Sequence, residues 1–85
     1  LGSATRWKEL EDLWIKQDGI CPYTGSKLIL GVDASLDHIL PSSRFPEHRH
    51  DINNVEWVHY RVNEMKKDWT KEEFLQFMRG ILANV

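Results

Sequence analysis

One cysteine, Cys21, stands in a chain of 85 residues. A single thiol excludes an internal disulfide, and the setting it suits is a reducing one, so a cytoplasmic, intracellular location is expected. No apolar run approaches the ~20 residues that a membrane span needs, so no membrane partner is expected. The N-terminus shows no signal-peptide pattern, and Leu1-Gly2-Ser3 reads as an expression scar, set aside from the fold reasoning. Positive charge is not in excess: 11 Lys and Arg face 13 Asp and Glu, for a net charge of −2. That balance is not expected of a strong stand-alone nucleic-acid binder. Internal repeats and low-complexity segments are absent.

What is present is ordinary for a globular protein, 41% hydrophobic and 28% charged, except that four Trp and three Phe are many for this length. Residues 4–85 read as one domain. At this size folding buries only about 60% of the surface the unfolded chain exposes, so the core is expected to be thin and aromatic-rich. Trp7, Leu10, Leu13 and Trp14 recur at helical spacing and predict a helix over Ala4 to Lys16, capped by Ser3 or Thr5 and ended at Asp18-Gly19. CPYTGSK then turns. Strands are expected over Lys27 to Leu30, Ala34 to Leu40 and Val55 to Val58. Pro41 ends the second of them. The polar stretch from Ser42 to Asn54 reads as a surface loop, long enough to be functional rather than a plain connector. A helix is expected over His59 to Lys67. A last one begins at Asp68 or Thr70, with a capping box in Thr70-Lys71-Glu72-Glu73 and a buried face of Phe74, Leu75, Met78, Ile81 and Leu82.

Within this order sits SLDHILP, Ser35 to Pro41. Leu36, Ile39 and Leu40 call for burial, whereas Asp37 and His38 do not, because a buried charge is costly unless paired or bound to a metal. Downstream, Asn54 follows His38 by 16 positions and Asn63 follows Asn54 by 9. Asn is a poor helix former, so Asn63 in mid-helix needs a reason. Strand, Asp-His, long loop, Asn-Asn, strand, helix, then Asn and Lys, with CPYTG before and NEMK at the end, resembles the HNH endonuclease family. The likeness covers about residues 20–67. It implies an α+β fold with a ββα-metal (HNH, or His-Me finger) core, flanked here by N- and C-terminal helices. A bacterial or phage source suits it.

The resemblance also implies roles. Asp37 and Asn63 would ligate one divalent cation, and their oxygen donors suit Mg²⁺ or Mn²⁺. His38 would be the general base, since its ordinary pKa of about 6.5 keeps it neutral and useful near neutral pH. Asn54, preferred to Asn53 because it directly precedes VEWV, would orient the loop and the histidine. The implied activity is divalent-metal-dependent hydrolysis of DNA phosphodiester bonds, leaving 5′-phosphate and 3′-hydroxyl ends. Arg61, Lys66, Lys67, Arg44 and Arg49 are candidate phosphate contacts, with His48 and His50 nearby in the loop. With so little positive charge, another DNA-binding domain or a protein subunit is an expected source of affinity.

Two features depart from or strain the pattern. Many members hold a structural zinc with two Cys pairs; here those positions are Cys21 and Thr24, then His59 and Val62. Four ligands are the rule, so no structural zinc is expected, and Val62 and Tyr23 are expected to pack apolar instead. Neighbours on a strand also point to opposite faces, so Asp37 and His38 can share a site only near a bend or a strand end. The chief rival is a non-catalytic nucleic-acid-binding module that keeps the fold. A second rival is a protein-interaction domain that uses its aromatic helices.

Overall fold

The computed structural model describes residues 4–85; the Leu1-Gly2-Ser3 scar and the Ser3 cap lie outside the described residues. It is a small mixed α+β domain. In chain order come α1 (Ala4–Lys16), β1 (Ala34–His38), β2 (Val55–His59), α2 (Tyr60–Lys66) and α3 (Lys71–Leu82). Single 3₁₀ turns at Pro46–His48 and Ile52–Asn54 shape the long loop between the strands. None of the described helices is long and apolar enough to cross a membrane.

The sheet is one antiparallel pair, in register Leu36 opposite Trp57 and Asp37 opposite Glu56. Two strands alone are marginal in water, and both edges carry backbone groups that need partners. Polar side chains on and beside the helices supply them. After α1, Gln17 accepts from Trp57 N at 2.8 Å and donates to Trp57 O at 2.9 Å, so it acts as a one-residue strand. On the other edge, Asn63 and Lys66 of α2 donate to the carbonyls of Leu36 and His38, at 3.1 and 2.6 Å. Positions i and i+3 of a helix thus meet positions i and i+2 of a strand, which lie on one edge.

Cys21, Leu28, Val58, Val62 and Phe74 form the buried core, with Tyr23, Trp14, Trp57 and Met78 packed against it. Val62 and Tyr23 therefore pack apolar, Tyr23 edge-on to Phe74 at 5.8 Å. Trp14 meets Trp57 edge-on at 5.5 Å, and the Trp57 indole donates to Leu10 O at 3.0 Å, which seats α1 on β2. The turn after α1 needs Gly19: its φ is +61°, and a Cβ there would come within 2.9 Å of the Trp14 ring.

Several expectations are corrected. Lys27 to Leu30 is not a strand; only Lys27 pairs, in an isolated bridge to Ile20. The Asp33 carboxylate captures the Ile29 amide at 2.7 Å, and the Ile29 carbonyl accepts from Val32, Asp33 and Ala34, so the ladder bonds are spent in a turn. β1 stops at His38 rather than Leu40 because the Asn54 side chain takes the Leu40 amide. The outer aromatic and aliphatic stripes are not wholly core: Trp7, Phe77, Ile81 and Leu82 are exposed. Thr5 lies inside α1, not at its cap.

The capping box of α3 forms as expected: Thr70 Oγ accepts from Glu73 N at 3.1 Å, and Glu73 Oε1 accepts from Thr70 N at 2.9 Å. Glu73 also holds Arg44 through both carboxylate oxygens, at 2.6 and 3.3 Å. The Arg44 guanidinium, helped by the Thr70 amide, lowers the Glu73 carboxyl from its ordinary 4.5 to about 2. A carboxyl depressed in the folded state stabilises the fold above its unfolded value, and that contribution is lost as pH falls. Thermal melts between pH 5 and pH 2.5 should therefore show wild type losing stability more steeply than Glu73→Gln, which keeps the cap but not the charge.

Candidate active site

Asp37, His38 and Asn63 line one cavity of about 180 Å³, walled also by Leu36, Pro41, Ser42, Ser43, Lys67 and Asp68. Larger grooves of about 630 and 510 Å³ contain none of the three. The smaller cavity is the candidate because the chemistry-bearing groups meet there. β1 is paired through both Asp37 and His38, and the chain bends only at Ile39 and Leu40. The strand is regular through both residues, so the irregularity expected at Asp37 and His38 is not there; the strand ends just after His38.

Asp37 is 5% exposed and Lys66 1%. The Lys66 ammonium lies 3.2 Å from Asp37 Oδ2 and 3.4 Å from Oδ1, and it donates to Oδ1 and, more closely, to the His38 carbonyl. Oδ2 is close enough for ionic attraction but off the hydrogen-bonding direction, so this buried oxygen has no hydrogen bond among the described residues. Burial pushes the Asp37 carboxyl above the ordinary carboxylate value; the Lys66 ammonium opposes the rise, and Glu56 across the strand pair adds to it. Glu56 is itself held by Lys71 at 3.0 Å. Two carboxylates opposite one another on a strand pair repel, and each is met here by its own lysine.

Asn63 spends its Nδ2 on Ser35 Oγ at 2.8 Å and Leu36 O at 3.1 Å. Its Oδ1 takes no hydrogen bond among the described residues, and the bonds to Nδ2 fix which end of the amide is free. His38 Nε2 lies 3.0 Å from the Arg49 carbonyl. A carbonyl only accepts, so Nε2 carries the proton and Nδ1 is left as the basic nitrogen.

Asn54 is buried and makes three bonds: Oδ1 accepts from Leu40 N at 2.8 Å, and Nδ2 donates to Leu40 O at 2.9 Å and to His48 O at 3.2 Å. It ties the chain just after His38 to the loop whose next carbonyl, that of Arg49, receives the His38 ring. Asn53 is exposed, with only its amide in a turn on Asp51. Asn54→Ala should lower stability by about 2–3 kcal/mol, since it strands buried backbone groups. A melt should show a fall of roughly 10 °C or more for a chain of this size.

The candidate phosphate contacts scatter. Lys67 lines the cavity and has no ionic partner among the described residues. Lys66 is sealed inside on Asp37. Arg44 is bound to Glu73 and to the Asp68 carbonyl. Arg61 lies over the Tyr60 ring and lines a different groove. Arg49 is exposed, and it is its backbone that touches His38. His48 and His50 stay in the loop, with His48 4.0 Å from both Glu47 and Asp51. Cys21 Sγ accepts from His59 N, while the His59 ring caps α2 through Nδ1 and faces Asp33 at 3.9 Å.

Ser42, Ser43 and Asp68 carried no signal in the sequence. The inward turn of Lys66 did carry one: if Asn63 faces β1, so must the residue three positions on. Among the described residues, no group of three or more His, Cys, Asp or Glu is placed to hold a metal; Asp37 and Asn63 are a carboxylate and an amide. No family model matches the chain, and no curated protein matches its sequence.

Proposed function

We propose that the chain is a divalent-metal-dependent endonuclease acting on DNA phosphodiester bonds, and that β1, the long loop, β2 and α2 form a ββα-metal centre of the HNH type. The observation that carries this reading is that Asp37, Asn63 and a tautomerically fixed His38 line one cavity, with neither Asp37 Oδ2 nor Asn63 Oδ1 taking a hydrogen bond among the described residues.

The donor set fits a hard cation. Both atoms are oxygen, which suits Mg²⁺ or Mn²⁺, and two protein ligands leave positions for phosphate and water. Held there, the cation supplies neutralisation of charge on the scissile phosphate. The remaining work falls to the chain. His38 Nδ1 takes the proton from an attacking water while Nε2–H stays on Arg49 O, so the developing imidazolium is held in place. The water oxygen bonds to phosphorus, the bond to the 3′ oxygen breaks, and that oxygen is protonated from solvent. The ends left are 5′-phosphate and 3′-hydroxyl. Asn54 is a positioning residue acting through the loop. Lys66 is a charge partner that opposes the rise burial imposes on the Asp37 carboxyl. Lys67 is the cation best placed for phosphate. A net charge of −2 implies that much of the DNA affinity comes from another domain or subunit.

One observation favours the rival, a non-catalytic nucleic-acid-binding module: the Lys66 ammonium already neutralises Asp37. Supercoiled plasmid incubated with Mg²⁺ or Mn²⁺, with and without chelator, separates the two. Nicked or linear product that disappears with chelator is the expected result. Intact plasmid in every metal at high protein concentration favours the rival.

A further inference from the structure

The groove of about 630 Å³ beside the cavity carries an inference about substrate, and it rests on the nuclease reading. It lies within the size range of small-ligand clefts, roughly 300–1,000 Å³. Its lining includes Trp69, Phe77, Gln76 and Asp68, and Asp68 also borders the cavity of Asp37 and His38, so the two hollows adjoin at that residue. Trp69 and Phe77 stand edge-to-face at 5.0 Å yet remain 36% and 54% exposed.

The backbone at Trp69 is anchored next to Asp68, which borders the cavity. The Trp69 amide donates to Lys66 O at 3.0 Å, and the Asp68 carbonyl accepts from Arg44 at 3.3 Å. The polar rim does not suit a phosphate. The Arg44 charge is spent on Glu73, and among the described residues the Asp68 carboxylate takes no hydrogen bond. A neutral ring with amine hydrogens on its edge fits these groups: its face stacks on an aromatic side chain, and its exocyclic amine donates to Asp68 or to the Gln76 carbonyl. A paired base has both its face and its edge occupied.

We infer that this groove receives an unpaired DNA base next to the scissile phosphate, so that the substrate class is DNA with a locally unpaired nucleotide. Stacking on an aromatic side chain is worth roughly tenfold in affinity per base.

The test uses the full chain and two labelled duplexes of one sequence, fully paired or with one unpaired nucleotide. Wild type is assayed for cleavage in Mg²⁺, and His38→Ala for binding. The expected preference for the unpaired duplex is about tenfold in each assay. Trp69→Leu combined with Phe77→Leu, on the His38→Ala background for binding, should bring the ratio near one, whereas Trp69→Phe should retain most of it. A wild-type ratio near one, or a ratio unchanged in the double leucine variant while Trp69→Phe behaves the same, overturns the inference. If wild type cleaves neither duplex, the nuclease reading fails, and the binding ratio still decides whether the groove takes a base.

Discussion

His38→Ala is expected to lower plasmid cleavage by about 10²- to 10⁴-fold, the usual worth of a positioned general base, while leaving Mn²⁺ binding in place. The two halves of that result follow from separate atoms. The ring is tethered by Nε2 to the Arg49 carbonyl, which leaves Nδ1 as the basic nitrogen. The donors proposed for the cation are Asp37 and Asn63, which the substitution does not touch. His38 is only half-buried, so its truncation should cost little stability, and a melt serves as the control for folding. Cleavage that persists would remove the base from the mechanism. Loss of Mn²⁺ affinity together with activity would mean that the imidazole ligates instead.

Lys66→Met is expected to destabilise the fold by about 3–5 kcal/mol, because it leaves a buried carboxylate without its counter-charge. It also removes the donor that satisfies the His38 carbonyl on the edge of β1. Burial already raises the Asp37 carboxyl, and without the ammonium the carboxyl rises further. A carboxyl raised in the folded state stabilises the fold below its unfolded value, and that contribution is lost as pH increases. The deficit of the variant relative to wild type should therefore be largest near neutral pH and shrink in acid. Chemical denaturation at several pH values measures this. Asp37→Asn added to Lys66→Met should recover part of the loss. An equal deficit at every pH would show that the lysine stabilises through its aliphatic stem and its carbonyl bond alone.

How far the site was legible in the sequence depended on whether its signal was local. Asp37 and His38 stand out because two polar groups interrupt an apolar run, and Asn63 because it sits in a helix that does not favour it. Those are local facts, and the structure puts all three on one cavity. The capping box of α3 is likewise four consecutive residues. The edge protection of the sheet was not legible: Gln17 and Trp57 are 40 residues apart, and nothing in either neighbourhood announces that a glutamine stands in for a strand. The strand expected at Lys27 to Leu30 failed because one carboxylate, Asp33, competes for the Ile29 amide. Composition places a lysine in solvent, and only its spacing of three from Asn63, once Asn63 is set against β1, turns Lys66 inward. The exposed end of α3 follows from a helix with few elements to pack on. Its apolar face continues past Met78 to Ile81 and Leu82, which are exposed.

The central claim is that two oxygens brought together from β1 and α2 hold one cation. Crystals of the protein soaked in Mn²⁺ test it by anomalous diffraction. The expected result is one strong peak within about 2.5 Å of both Asp37 Oδ2 and Asn63 Oδ1, absent from Asp37→Ala crystals. An ammonium of Lys66 still seated on Asp37 at saturating Mn²⁺, with no peak beside it, would contradict the claim.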